Sequence, residues 1–141
     1  MAEQNFTSKR QTTEQRRAAN AWQEVEQAGK TLKQKQGDYK RLVRSIVADV
    51  LNHGLGQVLA FLRAKGYENG REKQDDHHAL LYRHLTDWIC GEMGWSNTDL
   101  LRKLTQGGAT TAHYRRATVE AMAYLEWLKR FAEAELEGGA Q

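Results

Sequence analysis

The chain has 141 residues, which is the length of one domain and too short for several. It contains no proline, and 28% of its residues are charged, a composition that disfavours a β-sandwich or barrel with their proline- and glycine-rich turns. One cysteine, Cys90, excludes an internal disulfide, and no run of about 20 apolar residues exists to form a membrane span. The first thirty residues contain no apolar signal core, so we expect a cytoplasmic protein without a membrane partner.

The net charge of +3 is distributed unevenly along the chain. Residues 1–65 contain 12 Lys and Arg against 6 Asp and Glu, whereas residues 66–141 contain 9 against 12. A polyanion such as RNA is therefore expected to bind the amino-terminal half, although a solvated helix surface would have the same composition.

The first predicted helix follows a polar segment, residues 1–11, that we expect to be flexible. Thr12 or Thr13 can cap this helix, and Thr12 with Gln15 has the spacing of a capping box. Its narrow apolar stripe, which includes Trp22, extends to about Gln36. Gly37-Asp38 is then predicted to break the helix, with Asp38 as the N-cap of the next one.

Two helices are predicted between Tyr39 and Gly66. The first is amphipathic from Tyr39 to Val50, and the second occupies the apolar stretch after the Asn52-His53-Gly54 turn. Apolar residues recur there at three- and four-residue steps, and this core stripe comprises Leu55, Val58, Leu59 and Leu62, widened by Ala60 and Phe61.

The remaining chain is also read as helical. Residues 66–76 form a charged loop, and Asp75 or Asp76 can cap a helix that carries Cys90 as a buried, inert thiol. A short helix and a long last helix follow, and residues 138–141 form a flexible tail. The predicted fold class is all-α, a bundle of about six helices, with a single all-helical domain over residues 12–137.

The histidines do not have the spacing of a metal site. His77 and His84 lie two turns apart on one predicted helix, which is too far for both to reach one zinc ion directly. We therefore interpret His77, His78 and His84 as surface residues and predict no metal and no cofactor. His53 and His113 could still meet in space as acid and base, so a small helical ribonuclease remains an alternative.

Basic residues on helix faces are the stronger functional signal. Lys and Arg at helical spacing can neutralise phosphates along a nucleic-acid backbone without reading its bases. The candidate RNA-binding residues are Lys40, Arg41 and Arg44 on the second helix, Arg16 and Arg17 on the first, and Arg115 and Arg116 on the last. Base stacking is not indicated, because Tyr39 and Trp22 are expected to point inward.

Three stretches together resemble the small-subunit family of the Cmr (type III-B) CRISPR effector, the fifth Cmr protein. They are the segment Asn52–Leu62 with Lys65-Gly66, the Tyr82-x-x-x-Leu85-x-x-Trp88 helix, and the segments Tyr114–Ala121 and Leu125–Ala134. Their order and spacing agree over about residues 12–137.

The resemblance implies a non-catalytic, all-helical subunit that serves in antiviral defence. Copies of that family stack into a short filament along the backbone RAMP subunit that carries the crRNA, and they help to form the groove where target RNA pairs with the guide. Expected partners are therefore other Cmr subunits (the backbone RAMP subunit and the large subunit), further copies of this chain, and crRNA with target RNA.

A DNA-binding regulator is a further alternative, with the helices near residues 39–66 as a helix-turn-helix. The second helix of such a pair should be the polar one that enters the major groove. In this chain the second helix is the apolar one, which disfavours that hypothesis.

Overall fold

A computed structural model describes residues 11–96 and 98–139. They form six α-helices: α1 (Thr13–Leu32), α2 (Gln36–His53), α3 (Leu55–Gly66), α4 (His77–Met93), α5 (Leu100–Gln106) and α6 (Thr111–Glu135). A 3-10 turn (Lys33–Lys35) joins α1 to α2, and strands β1 (Tyr67–Glu68) and β2 (Arg71–Glu72) lie between α3 and α4. The predicted all-α class is confirmed, while the predicted flexible segment 1–11 lies almost wholly outside the described residues.

Helix α1 packs chiefly on α6, and the two run in the same direction. The direction follows from three contacts that advance together along both helices. They are Arg17 with Glu120, Trp22 with Phe131, and Gly29 with Leu136. Helix α2 returns antiparallel to α6 and packs chiefly on it, and α4 packs against α1, α2, α3 and α6. The core contains three fully buried tyrosines, Tyr39, Tyr82 and Tyr124, among Leu, Ile and Val.

Several helices begin directly after a residue whose side chain caps them, and Thr12 and Asp76 are among the predicted caps. Thr12 and Gln15 form the predicted capping box of α1, with the Gln15 N–H donating to Thr12 Oγ1 at 3.0 Å. Asp76 caps α4, and Asp99 caps α5. These side chains satisfy backbone N–H groups that have no partner inside the helix.

The break between the first two helices lies earlier than predicted. The chain turns at Lys33, whose φ is 54°, and Gly37 and Asp38 both lie inside α2, so Asp38 is not an N-cap. Gly37 serves packing instead, because a Cβ there would lie 2.6 Å from the backbone nitrogen of Gly139. The chain end, predicted as a flexible tail over residues 138–141, thus lies against α2 at Gly138 and Gly139, and residues 140 and 141 lie outside the described residues.

Part of the predicted loop 66–76 is a small antiparallel hairpin. Tyr67 pairs with Glu72, and Glu68 pairs with Arg71. Asn69 and Gly70 have φ values of 54° and 78°, the combination that a two-residue hairpin turn requires. The prediction missed this hairpin because two-residue strands show no alternation of polar and apolar residues.

Helix α3 carries the predicted core stripe, with Leu55, Val58, Leu59 and Leu62 at most 3% exposed. Ala60 and Phe61 were wrongly added to it, since both are exposed and Phe61 is 42% exposed. Trp22 is also wrongly placed by the sequence, because it is 46% exposed and stacks on Phe131 with ring centroids 4.9 Å apart. None of the helices in the described part of the chain is long and apolar enough to cross a membrane.

Candidate nucleic-acid interface

The basic face of α2 consists of Lys40, Arg41 and Arg44, and each of these side chains has a partner. Lys40 Nζ donates to the carbonyl of Leu136 at 3.1 Å, and Arg41 pairs with Asp38 one turn earlier. Arg44 Nε donates to Glu133 at 2.8 Å. The two arginine pairs are solvated, with 51% of the Arg41 side chain and 34% of the Arg44 side chain exposed, so they stabilise the fold by at most about 1 kcal/mol each.

Arg17 lies in a different environment on α1. Its Nε and Nη2 donate to the two carboxylate oxygens of Glu120 at 2.6 and 2.9 Å, and its Nη1 donates to Glu14 at 2.8 Å. Trp88 Nε1 also donates to Glu120, at 2.8 Å. The hydrogen bond to Glu120, which outweighs burial, raises the pKa of Arg17. Glu120 of α6 thereby connects Arg17 of α1 with Trp88 of α4.

Glu120 responds to the same contacts. Burial by itself would raise the pKa of the Glu120 carboxyl, but hydrogen bonds from Arg17 and Trp88 outweigh burial and hold its pKa below the usual range. The carboxylate is consequently charged at neutral pH and is the centre of a partly buried polar network.

The three remaining candidates lie near helix starts. Arg16 is near the start of α1, and Arg115 and Arg116 are near the start of α6. Arg16 forms a two-point ion pair with Glu92 at the end of α4, and Arg116 Nη2 donates to the Glu92 carbonyl at 3.3 Å. Arg115 is exposed and forms no hydrogen bond or ion pair with any described residue. The seven predicted RNA-binding residues are therefore divided between two surfaces, α2 and the helix ends near Glu92.

The Asn52-His53-Gly54 turn lies beside an open cavity of about 630 Å³, which is lined by Asp49, Asn52, His53, Gln57, Val58 and Phe61. Gly54 has a φ of 89°, and the N–H of Gly56 donates to the Tyr114 hydroxyl at 2.7 Å. Gly54 thus permits a tight turn and Gly56 permits close helix packing, because a Cβ on residue 56 would lie 2.8 Å from that hydroxyl.

The histidines differ from the sequence-based interpretation. His84 is 1% exposed, so its assignment to the surface is wrong. Its Nδ1 lies 2.6 Å from the Tyr39 hydroxyl and its Nε2 lies 2.9 Å from both Gln27 and Glu24. Such a network satisfies a buried polar side chain, and no pattern in the sequence signals it.

His113 and His53, the two candidates for acid and base catalysis, lie in different settings. His113 Nδ1 accepts the N–H of Thr110, which completes the capping box of α6. His53 is exposed at the end of α2, beside the 630 Å³ cavity. His113 therefore has a structural role at a helix start.

Asp76, His77 and His78 form the one group in the described residues with donor atoms close enough to hold a metal ion. Both imidazoles are half-buried, which the sequence did not indicate. Cys90 is buried as predicted, and burial raises the pKa of its thiol to about 11, so it is not a thiolate at neutral pH.

A partly exposed aromatic row lies between α1 and α6. Phe131 stacks on Trp22 on one side and on Trp127 on the other, with the second pair of centroids 5.7 Å apart. The Trp127 indole N–H donates to Glu14, and a cavity beside it is lined by Glu14, Glu126 and Arg130. None of the seven predicted RNA-binding residues lines this cavity.

Comparisons with known proteins agree with this fold. The family model described as CRISPR-associated protein (Cas_Cmr5) matches residues 13–135. A curated protein of Thermus thermophilus, described as CRISPR system Cmr subunit Cmr5, is 30% identical over 123 residues, which cover 85% of this chain and 92% of that protein. The crystal structure of a CRISPR-associated Cmr5 family protein from Thermus thermophilus superposes with a TM-score of 0.68 at 27% identity, covering 90% of this chain and all of that one.

Proposed function

Because the chain belongs to the Cmr5 family of CRISPR-associated proteins, we propose that it is a non-catalytic small subunit of a type III-B CRISPR RNA-targeting effector complex. The observation that carries this proposal is the family match over residues 13–135, which spans all six helices. The subunit works in the cytoplasm, and its partners are the backbone RAMP subunit, the large subunit and further copies of itself.

Within that complex the subunit stacks into a short filament and helps to form the target-RNA groove through its basic faces. The α2 face is the first candidate for phosphate contact, because its ion pairs are solvated. A phosphate can replace Asp38 as the partner of Arg41, or Glu133 as the partner of Arg44, at little cost to the fold.

Arg115 and Arg116 are the second candidate surface, since both are exposed at the start of α6. Arg16 and Arg17 rank last among the seven predicted residues. Arg17 in particular would have to leave Glu120, which would lose most of its hydrogen bonds in a partly buried site.

Copurification tests the assembly. A tagged copy expressed together with the other subunits and a crRNA should recover the backbone subunit and the crRNA. Recovery of this chain alone, without RNA, would contradict the proposal.

A pair of matched triple variants tests the RNA surface in the reassembled complex. Lys40→Gln/Arg41→Gln/Arg44→Gln should weaken target-RNA binding and lower the slope of log affinity against log salt by about 2, because about 0.7 counterions are released per phosphate on a single strand. The control is Arg71→Gln/Lys73→Gln/Arg102→Gln, which removes the same charge from exposed positions elsewhere. Equal binding by both variants and the wild type would refute the α2 assignment.

Incubating the purified protein with labelled RNA tests the non-catalytic part of the proposal. We expect no cleavage in the absence of the other subunits. Cleavage that disappears in His53→Ala or His113→Ala would instead establish the ribonuclease alternative.

A further inference from the structure

Three consecutive side chains at the start of α4 converge on one point. One donor atom from each of Asp76, His77 and His78 lies within 4.8 Å of the other two. His77 and His78 stack obliquely, with ring centroids 4.1 Å apart. Two imidazoles and a carboxylate are a common ligand set for borderline divalent metals, and imidazole disfavours Ca²⁺ and Mg²⁺.

The side chains are oriented before any metal arrives. Asp76 Oδ1 accepts the backbone N–H groups of His78 and Ala79 at 2.8 and 3.0 Å, which fixes the carboxylate. The edge of the Phe61 ring packs against His78, with centroids 5.7 Å apart. These contacts reduce the number of rotamers that a metal would have to select.

Both imidazoles are only partly buried. His77 lies on a cavity of about 190 Å³ that it shares with Asp38, Arg41, Leu42 and Ser45. An ion from solvent can therefore reach His77 without unfolding of the helix.

The charges around the group come from four elements. Asp76 and, on α2, Asp38 favour a cation, whereas Lys35, Arg41, Lys65 and the start of α4 oppose it. Arg41 is already paired with Asp38, which reduces its repulsion. Asp76 is the one carboxylate in the proposed ligand set, so it places a negative charge directly at the point where the three donor atoms converge.

We propose that Asp76, His77 and His78 bind one divalent transition-metal ion of the zinc type, with water completing the coordination. In a tetrahedral zinc site the ligand atoms lie about 3.4 Å apart, since zinc–nitrogen bonds are about 2.0–2.1 Å long. In the structure the three ligand atoms lie within 4.8 Å of one another, so metal binding requires them to move closer together. The spacing of His77 and His84 does not indicate this site, because the proposed ligands include the adjacent pair His77 and His78.

The metal alone is the probe. Tag-free full-length protein, so that no polyhistidine competes, is titrated with Zn²⁺ by calorimetry and with Co²⁺ by visible absorption. One ion should bind per chain, the Co²⁺ spectrum should show the intense bands of a low-coordinate site, and Zn²⁺ should raise the thermal midpoint.

His77→Ala and His78→Ala should each weaken Zn²⁺ binding by about tenfold or more and abolish the rise in midpoint. Asp76→Asn, in which asparagine keeps the N-cap but loses the charge, should also weaken binding. The matched controls are His53→Ala and His113→Ala, which should bind as the wild type does. Absence of stoichiometric binding, or equal affinity in the His77, His78 and control variants, would overturn the proposal.

If an alanine variant is poorly folded by circular dichroism, His77→Gln and His78→Gln replace it as polar variants without an imidazole. Retention of wild-type affinity in these glutamine variants would also overturn the proposal. All these outcomes are independent of whether the chain binds RNA.

Discussion

Two Arg-Arg pairs occupy nearly the same position in two parallel helices, yet they do different work. Arg16-Arg17 lies in the second turn of α1, and Arg115-Arg116 lies in the second turn of α6. Arg17 is held by Glu14 and Glu120, whereas Arg115 has no partner among the described residues. The comparison teaches that a basic dipeptide in the sequence does not by itself distinguish a partly buried structural ion pair from a cation that is available to a ligand.

The largest expected difference between the two Arg-Arg pairs is in their contribution to the free energy of unfolding. Arg17→Ala should lower the free energy of unfolding by about 2–3 kcal/mol, because it removes the hydrogen bonds of a charged pair and leaves Glu120 partly buried. Arg115→Ala should change it by less than about 0.5 kcal/mol. Urea unfolding followed by circular dichroism measures both values, and equal values would remove the distinction.

Lowering the pH should reduce the difference in stability between wild type and Arg17→Ala. The pKa of Glu120 is lowered in the folded protein, so its stabilising contribution is fully present above the unfolded value of about 4.3 and is lost as the pH falls through the folded value. The difference in the free energy of unfolding between wild type and Arg17→Ala should therefore decrease as the pH falls from 7 to 3. The gap between wild type and Arg115→Ala should not change with pH, and a constant gap for Arg17→Ala would contradict the assignment of the network.

Raising the pH should lower the stability of wild type and of both arginine variants equally, which provides a control. Burial raises the pKa of Tyr39, Tyr82 and Tyr124, and it raises that of Cys90 to about 11. Groups of this kind stabilise the fold below their unfolded pKa values and lose that contribution as the pH rises through the folded ones. Wild type, Arg17→Ala and Arg115→Ala should lose stability in parallel above about pH 9, and divergent losses would mean that Arg17 is coupled to the tyrosine core.

Substitution of Arg16 should have a much smaller effect on stability than substitution of Arg17. Its ion pair with Glu92 is 43% exposed on the arginine side, so Arg16→Ala should cost only about 0.5 kcal/mol. Thermal unfolding at low and high salt measures this, since the cost should decrease as salt screens the pair. A cost equal to that of Arg17→Ala would place both arginines in one cooperative network.

The sequence is sufficient to predict the parts of the fold that depend on local chemistry. Thr12, Asp76 and Asp99 are recognisable caps, and the stripe of α3 is recognisable from its spacing alone. These features need no knowledge of the neighbouring elements.

Two of the wrong assignments depend on contacts between distant segments. The sequence pattern predicts a helix break at Gly37, but Gly139 packs against it across 102 positions of sequence. The pattern also predicts a surface position for His84, but this side chain is buried and contacts Tyr39 and Glu24. Helical periodicity reports which side of a helix is apolar, and it does not report which polar residue finds a partner there.

The candidate RNA-binding residues likewise combine features that the sequence predicts with features that only the structure shows. The sequence identifies all seven cations, but it cannot show that Arg17 is committed to Glu120 or that Arg44 reaches Glu133 on another helix. The RNA-binding role of each cation stays a prediction, and the structure supplies the order in which they should be tested.

The contact between Gly56 and Tyr114 joins two stretches by which the family was recognised. The Tyr114 hydroxyl accepts the N–H of Gly56, which α3 cannot satisfy internally at its start. Any side chain at position 56 would displace this hydroxyl and break the hydrogen bond between the start of α3 and α6. The missing side chain of Gly56 is therefore what permits this connection to Tyr114, 58 residues further along the chain and directly before the exposed cation Arg115.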